Sequence, residues 1–396
     1  MVMICGLYYP QSSATALCAK RYISLFQDEY DIDVISCTED GKEHTLVDNS
    51  GAQLHVLTNS RLALENRTNG LIKFLVKSFG SALLYKSFLG NMEWFAKSVT
   101  GKLIEIHRKR PIDVVFSVCS PFAAHVGTAK FCSLFPDVKS VAYTVDPYST
   151  IDRICPIGKN IGDLVDYECY WLNKFDSVLF SEEVFNNRRD LFERVRRCKP
   201  LPYMLPPFVE NNLESDRIDD GFIHCVYAGS FYENIRNPEY MLEVFSSLRE
   251  CNVMLHLYSQ GCEQIVNQFV GNNIILHNFV SQSMLQNIYS QADVLIGIGN
   301  SMKEFLPSKT FEYVSARKPI IYFNYPGIIN HVLVEYPKAL QIQMTDNVSD
   351  AASEIMFFIK QIDGTLISKE QIYESYHNHT PQYIKQIIKT EFEATN

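Results

Sequence analysis

The sequence predicts an α/β protein built as two doubly wound parallel-sheet domains in tandem, facing a central cleft. Three observations predict it. Short apolar runs alternate with helical stretches through the first half, a polar acidic stretch breaks the pattern around residues 205–221, and the alternation then restarts. Alternating β and α units of this kind give a parallel sheet covered by helices on both faces.

Taken in order, the run Val2-Met-Ile-Cys-Gly-Leu7 has the length and composition of a buried strand, and a loop leads from it to a helix over 14–26. Further strands are expected at 33–36, 52–57, 114–118, 140–144 and 177–180. Pro206-Pro207 and the string ENNLESDRIDDG carry no apolar period and read as the interdomain linker. Beyond it come strands at 224–227, 253–258, 274–276, 294–298, 319–323 and 340–343, with helices at 238–248, 283–290, 309–316 and 348–362. The expected division is 1–205, 206–366 and a helical tail 367–396 that has no sheet partner of its own and is free to pack back across the first domain. Ligands of open parallel sheets bind outside the carboxyl ends of the strands, so two facing domains hold a site between them.

Composition limits the function classes. At 396 residues, 46% hydrophobic and 20% charged, the chain has enough apolar surface for two cores without disulfides. Its eleven cysteines include no C-x-x-C pair and lie mostly in apolar runs, which fits reduced core thiols and argues against zinc. No apolar stretch reaches the roughly 20 residues of a membrane span, and the N-terminus shows no secretory pattern, so a cytoplasmic location is expected. A net charge of −9 argues against general nucleic-acid binding. Residues 61–110 break that balance with ten basic against three acidic side chains. Solvated helix faces explain such a segment, but its many apolar partners also suit an anionic membrane surface, which would bring a lipid-linked acceptor to the protein.

The stretch from Ala292 to Ile321 carries the chemistry. A buried strand ends near Ile298, a polar loop follows, and Pro307-Ser308 opens a helix at that strand's carboxyl end, with Ser308 as its cap. Free N–H groups and the helix dipole favour a diphosphate there, and Lys309 adds a full charge. Glu312, on the same helical face as Ser308, offers two acceptor oxygens suited to paired ribose hydroxyls. Glu304, on the preceding loop, is set to bind hydroxyls of a transferred sugar.

Residues 292–321 resemble the donor signature of GT-B glycosyltransferases, whose architecture is two Rossmann-like domains. They are most similar to the retaining family 4 group, marked by two Glu separated by seven residues, as Glu304 and Glu312 are. Pro307 to Tyr313, with Leu306 before it, is similar to a variant found in enzymes of bacterial surface polysaccharide synthesis. Val226-Tyr-Ala-Gly229-Ser230-Phe with Arg236, His277-Asn278-Phe279-Val280-Ser281, and Tyr289-Ser-Gln-Ala-Asp293 follow in the family's order. The resemblance implies a sugar transferred from a nucleoside diphosphate donor, UDP-linked, with retention, to a saccharide or lipid-linked saccharide. It departs from the family where Ser230 replaces an Arg after Gly229, which leaves Arg236 as the nearby cation. The two-Gly loop after the first strand is also absent, Ser12 and Ser13 standing there instead.

On the first domain, loops at Ser117…His125 and Thr144-Val-Asp146-Pro147 resemble the family's acceptor side. Asp146 either orients an acceptor hydroxyl or forms the turn before Pro147. His125, in an apolar stretch, is either an acceptor-side group or a satisfied core histidine. Arg236 holds phosphate or simply opens a helix. With no convincing Asp-x-Asp loop, neither metal nor other cofactor is expected; Glu304, Lys309, Arg236 and Asp146 are the expected catalytic set. A nucleotide-sugar epimerase of the same fold and a non-catalytic binding subunit are the rival readings.

Overall fold

The computed structural model describes residues 1–8, 14–37, 44–48, 51–58, 87–150, 159–209, 220–302 and 309–394. The chain divides into two compact units, one of Met1–Tyr203 with Pro381–Asn396 and the other of Met204–Thr380.

Unit 1 runs β1 (Val2–Leu7), α1 (Ala14–Phe26), β2 (Asp33–Cys37), β3 (His44–Val47), β4 (Gln53–Leu57), α2 (Glu93–Lys109), β5 (Val114–Cys119), α3 (Ala123–Leu134), β6 (Lys139–Thr144), α4 (Ile161–Leu172), β7 (Ser177–Ser181), α5 (Glu182–Asn187), α6 (Arg189–Phe192) and β8 (Cys198–Leu201). The sheet order is β3-β4-β2-β1-β5-β6-β7-β8. Only β3 runs antiparallel, against β4. Strands covered on both faces read as unbroken apolar runs, and all six residues of β5 are buried. Helix α2 buries Phe95, Ala96, Val99, Leu103 and Ile106, the spacing of one helical face, and packs on α3. Its basic residues take the other face, where Lys102 and Lys109 pair with Glu105. At its C-cap Arg110 pairs with Asp31 and Asp33. Over 87–110 the basic segment is therefore a solvated face over a core helix; residues 61–86 lie outside the described residues.

Unit 2 runs β9 (Ile223–Ser230), α7 (Glu239–Ser247), β10 (Val253–Gln260), α8 (Glu263–Val266), β11 (Ile274–His277), α9 (Gln282–Gln291), β12 (Val294–Ile298), α10 (Lys309–Ala316), β13 (Ile320–Asn324), β14 (Ala339–Gln343), α11 (Val348–Lys360) and α12 (Lys369–Ser375). Its six strands are all parallel in the order β11-β10-β9-β12-β13-β14. From β9 the chain winds outward to β11, then returns beside β9 as β12. That reversal opens a crevice at the carboxyl ends of β9 and β12, the place where doubly wound sheets bind ligands.

The final helix, α13 (Pro381–Glu393), returns to unit 1. Phe392 packs on Phe26, and Glu391 accepts from Ser177 Oγ and Lys199 Nζ, both at 2.6 Å. Tyr203 belongs to unit 1, where its hydroxyl accepts from Arg21 of α1. Residues 367–380 stay with unit 2, where Tyr373 packs on Phe208 and the Tyr376 hydroxyl donates to the Val332 carbonyl. Strands β3 and β8 are absent from the expected elements, being four-residue edge strands without an apolar run. None of the ten described cysteines is in a disulfide, and seven are buried. Among the described residues no helix is long and apolar enough to cross a membrane.

Candidate functional site

The crevice of unit 2 is built by three short segments. Strand β9 ends in Gly229-Ser230, β12 ends at Ile298 and runs on through Gly299-Asn300-Ser301, and α10 begins at Lys309. Close packing beneath it depends on Gly297. A Cβ there would lie 2.3 Å from the Tyr322 ring, so β12 and β13 can carry that ring between them only with glycine at this position.

Arg236 sits on the loop after β9, which closes on itself through a Tyr232–Arg236 bridge. Ser301 ties the loop down, its N–H donating to the Ile235 carbonyl and its hydroxyl to the Asn234 carbonyl, both at 2.9 Å. The guanidinium is half-buried; Nη1 donates to the Ser230 carbonyl at 3.3 Å and Nη2 to Asn300 Oδ1 at 2.7 Å. Its buried Nε has no hydrogen-bond partner. Lys309 comes to the same place from the first turn of α10. A cavity of about 10 Å³, room for one water, separates the two cations and is lined by them with Tyr227, Tyr313 and Tyr322.

Glu312 is 7% exposed, and its Oε2 lies 3.0 Å from Lys309 Nζ. Lys309 Nζ also lies 3.4 Å from the Tyr289 hydroxyl. Glu312 therefore holds Lys309, a role additional to the ribose contact expected of it. Burial, above all, pushes the Tyr289 and Tyr313 phenols well above their ordinary range, so both stay neutral donors.

Asn278, Phe279 and Val280 form the loop after β11, two strands from β9 at the same sheet edge. Asn278 and Phe279 are exposed, the latter 55%. A row of histidines braces the strands beneath the loop: His224 Nδ1 and His256 Nε2 are 2.9 Å apart, as are His256 Nδ1 and His277 Nε2. Glu304, Leu306, Pro307 and Ser308 lie outside the described residues, as do Ser12 and Ser13.

On unit 1, Asp146 follows β6 at the sheet's carboxyl edge. Burial raises its carboxyl above the usual range. The neighbouring loop is tied to it, since Ser181 Oγ donates to the Val145 carbonyl at 2.9 Å. Gly6 lets β1 lie against the turn after β5, where a Cβ would come within 2.7 Å of Pro121 Cδ and the Ser120 carbonyl. His125 corrects one expectation. It is fully buried, with Nδ1 2.8 Å from Ser117 Oγ and Nε2 3.3 Å from Thr144 Oγ1. Desolvation lowers its pKa to about 3. With both nitrogens occupied in the core, it is a structural histidine and offers an acceptor nothing.

Among the described residues no group of three or more His, Cys, Asp or Glu side chains is placed to hold a metal ion. The sequence reading missed Asn300, Tyr289 and Tyr322. Tyr289 and Asn300 stood in strings that the resemblance had already singled out, but nothing local marked Tyr322.

Residues 223–360 match the family model described as Glycosyl transferases group 1, a region that spans the sheet and crevice of unit 2. Among solved structures, sucrose-phosphate synthase from Thermosynechococcus elongatus superposes with a TM-score of 0.71 at 10% identity, covering 100% of both chains. An α,α-trehalose-phosphate synthase (UDP-forming) from Burkholderia xenovorans, in complex with glucose-6-phosphate, gives 0.66 at 11% identity over 99% of this chain and 100% of that one. A trehalose-6-phosphate protein from E. coli bound with UDP-2-fluoro glucose gives 0.62 at 10% identity, over 100% of this chain and 99% of that one. No curated protein sequence matches. At such identities the structural likeness establishes the GT-B fold. Fold and matched region together support a glycosyltransferase, and unit 2 is the part of the chain that carries the group 1 match.

Proposed function

We propose that the chain transfers a glycosyl unit from a UDP-sugar to a hydroxyl of a saccharide or lipid-linked saccharide, with retention and without a metal ion. The observation that carries this reading is the convergence of Arg236 and Lys309 on one small cavity where the strand order of unit 2 reverses. Two cations there suit a diphosphate, and they stabilise it most when charge builds on the departing nucleotide. The exposed loop 278–280 lies two strand spacings from β9, about 10 Å at ~4.8 Å per strand, a gap that the ribose and base of a nucleotide bridge. Glu304 would then bind the sugar, and Glu312 would exchange part of its pairing with Lys309 for the ribose. Asp146, half-buried at the carboxyl edge of unit 1, would orient the acceptor hydroxyl. The UDP-forming enzyme and the bound UDP-2-fluoro glucose among the similar structures favour uridine as the base. A cytoplasmic enzyme is part of this reading, and residues 61–110 are the segment that would meet an anionic membrane surface.

The test is a donor-consumption assay with a panel of UDP-sugars and saccharide acceptors. Glu304→Ala should abolish transfer while the melting temperature stays nearly unchanged, and Lys309→Ala should abolish it with a lowered melting temperature, because the buried Glu312 carboxylate loses its partner. Full residual activity in either variant removes the assignment, and sugar interconversion with donor alone would replace it with epimerisation.

A further inference from the structure

We propose that Asn300 is the positioning residue of Arg236, holding the guanidinium toward the crevice without cancelling its charge and so setting the affinity for a diphosphate. The inference rests on the donor reading above and names a residue that reading does not use.

Arg236 stands on a loop, and a long side chain there samples many rotamers unless something fixes its end. Two neutral oxygens fix it, the Ser230 carbonyl and Asn300 Oδ1. The shorter bond, 2.7 Å, is to Asn300. Asn300 is itself held: it is 8% exposed, the preceding Gly299 N–H donates to the Phe323 carbonyl at 2.8 Å, and the following Ser301 is bonded to the Arg236 loop through backbone and side chain. The amide oxygen is thus the fixed point and the arginine the part it orients.

The chemistry at position 300 distinguishes this arrangement from an ordinary ion pair. Arg188 is paired with Asp190 and Lys309 with Glu312, but among the described residues no carboxylate pairs with Arg236. An amide oxygen orients the planar fork and leaves its full positive charge for an incoming anion. A carboxylate in the same place would orient it equally well and compete with the ligand.

The experiment is calorimetric titration of the full-length protein with UDP, repeated with ADP and GDP, on wild type, Asn300→Ala, Asn300→Asp, Arg236→Ala and the Asn300→Ala/Arg236→Ala double variant. Loss of one hydrogen bond to a charged group should weaken nucleoside diphosphate binding about tenfold in Asn300→Ala. The double variant should bind within about twofold of Arg236→Ala alone, because Asn300 acts through the arginine. Asn300→Asp, nearly the same size and able to accept the same bond, should keep the wild-type melting temperature and still bind at least tenfold more weakly, about as Asn300→Ala does or worse. A merely structural asparagine would tolerate Asp and would show additive losses in the double variant. Wild-type affinity in Asn300→Ala or Asn300→Asp overturns this inference alone. Failure of wild type to bind any of the three nucleotides overturns the donor reading and this inference with it. Should Asn300→Ala fail to fold, Asn300→Asp decides the question.

Discussion

Glu183 stands in the first turn of α5 at the carboxyl edge of the first sheet, and burial pushes its carboxyl up to about 7. In the unfolded chain the same group titrates near its ordinary value of about 4.3. The folded state therefore binds the proton more tightly, so the contribution of Glu183 to stability is fully present below about pH 4 and is lost as pH rises through about 7. Glu183→Gln should remove that dependence: melting temperatures of variant and wild type should converge near pH 5, and the variant should melt higher at pH 8. Parallel melting curves across the range would show that Glu183 titrates normally. The same scale explains what the sequence could reveal of the site. Lys309 and Glu312 were read from one local stretch because they lie one helical turn apart, although their pairing with each other was not expected. Asn300 and Arg236 are 64 positions apart, and Lys309 and Tyr289 are 20 apart, so only the sheet's winding brings these pairs together. His125 was ambiguous because an apolar stretch holds a satisfied histidine as readily as a functional one, and the two hydroxyls that settle it come from different strands.

Elements were more legible than contacts, because a buried parallel strand announces itself as an unbroken apolar run. β1, α1, β12 and α10 have the bounds read from the sequence, β9 is four residues longer than its expected run, and the other central strands depart from theirs by one or two residues. The edge strands β3 and β8 escaped because His-Thr-Leu-Val and Cys-Lys-Pro-Leu contain no apolar run, whereas β11, an edge strand of the same length, shows Ile-Ile-Leu. How closely elements approach was illegible, and glycine sets it at two places. Gly127 of α3 lies where a Cβ would meet the Ala96 carbonyl at 2.6 Å and Val99 Cβ at 2.8 Å on α2. Gly297 of β12 lies against the Tyr322 ring of β13. Overpacking of this kind costs about 1–3 kcal/mol. Gly297→Ala should lower the urea midpoint accordingly and also weaken nucleotide binding, since Tyr322 lines the floor between Arg236 and Lys309. Gly127→Ala should lower stability by a similar amount and leave nucleotide affinity unchanged, because it separates two helices of unit 1. Equal binding losses in the two variants would mean that the effect is general loosening and not the floor of the crevice.

At the scale of the whole molecule, unit 1 is assembled from two distant pieces of chain. A helical tail free to pack back across the first domain was legible, but the contacts it makes there were not, since Glu391 meets Ser177 across 214 positions. Helix α13 buries Ile384, Ile388 and Phe392, and the ring of Phe392 completes a cluster with Phe26, Tyr30 and Phe116. Each such side chain contributes roughly 1.5–3 kcal/mol on burial, so removing three uncovers a stability comparable to that of a whole domain. The ion pairs of Lys385 and Lys389 with Glu29 are at the surface and add little to that sum. A chain ending at Thr380 should therefore lose the order of unit 1 first: its melting transition should fall by many degrees or vanish, and proteolysis should cut within residues 1–203. Unit 2 keeps its own core and an intact six-stranded sheet in the shortened chain, so its transition and its nucleotide affinity should survive. Calorimetry with and without UDP separates the outcomes, because a ligand of unit 2 raises only the transition of the unit that binds it. If both transitions fall together in the shortened chain, the two units share their stability and the tail serves the molecule as one body.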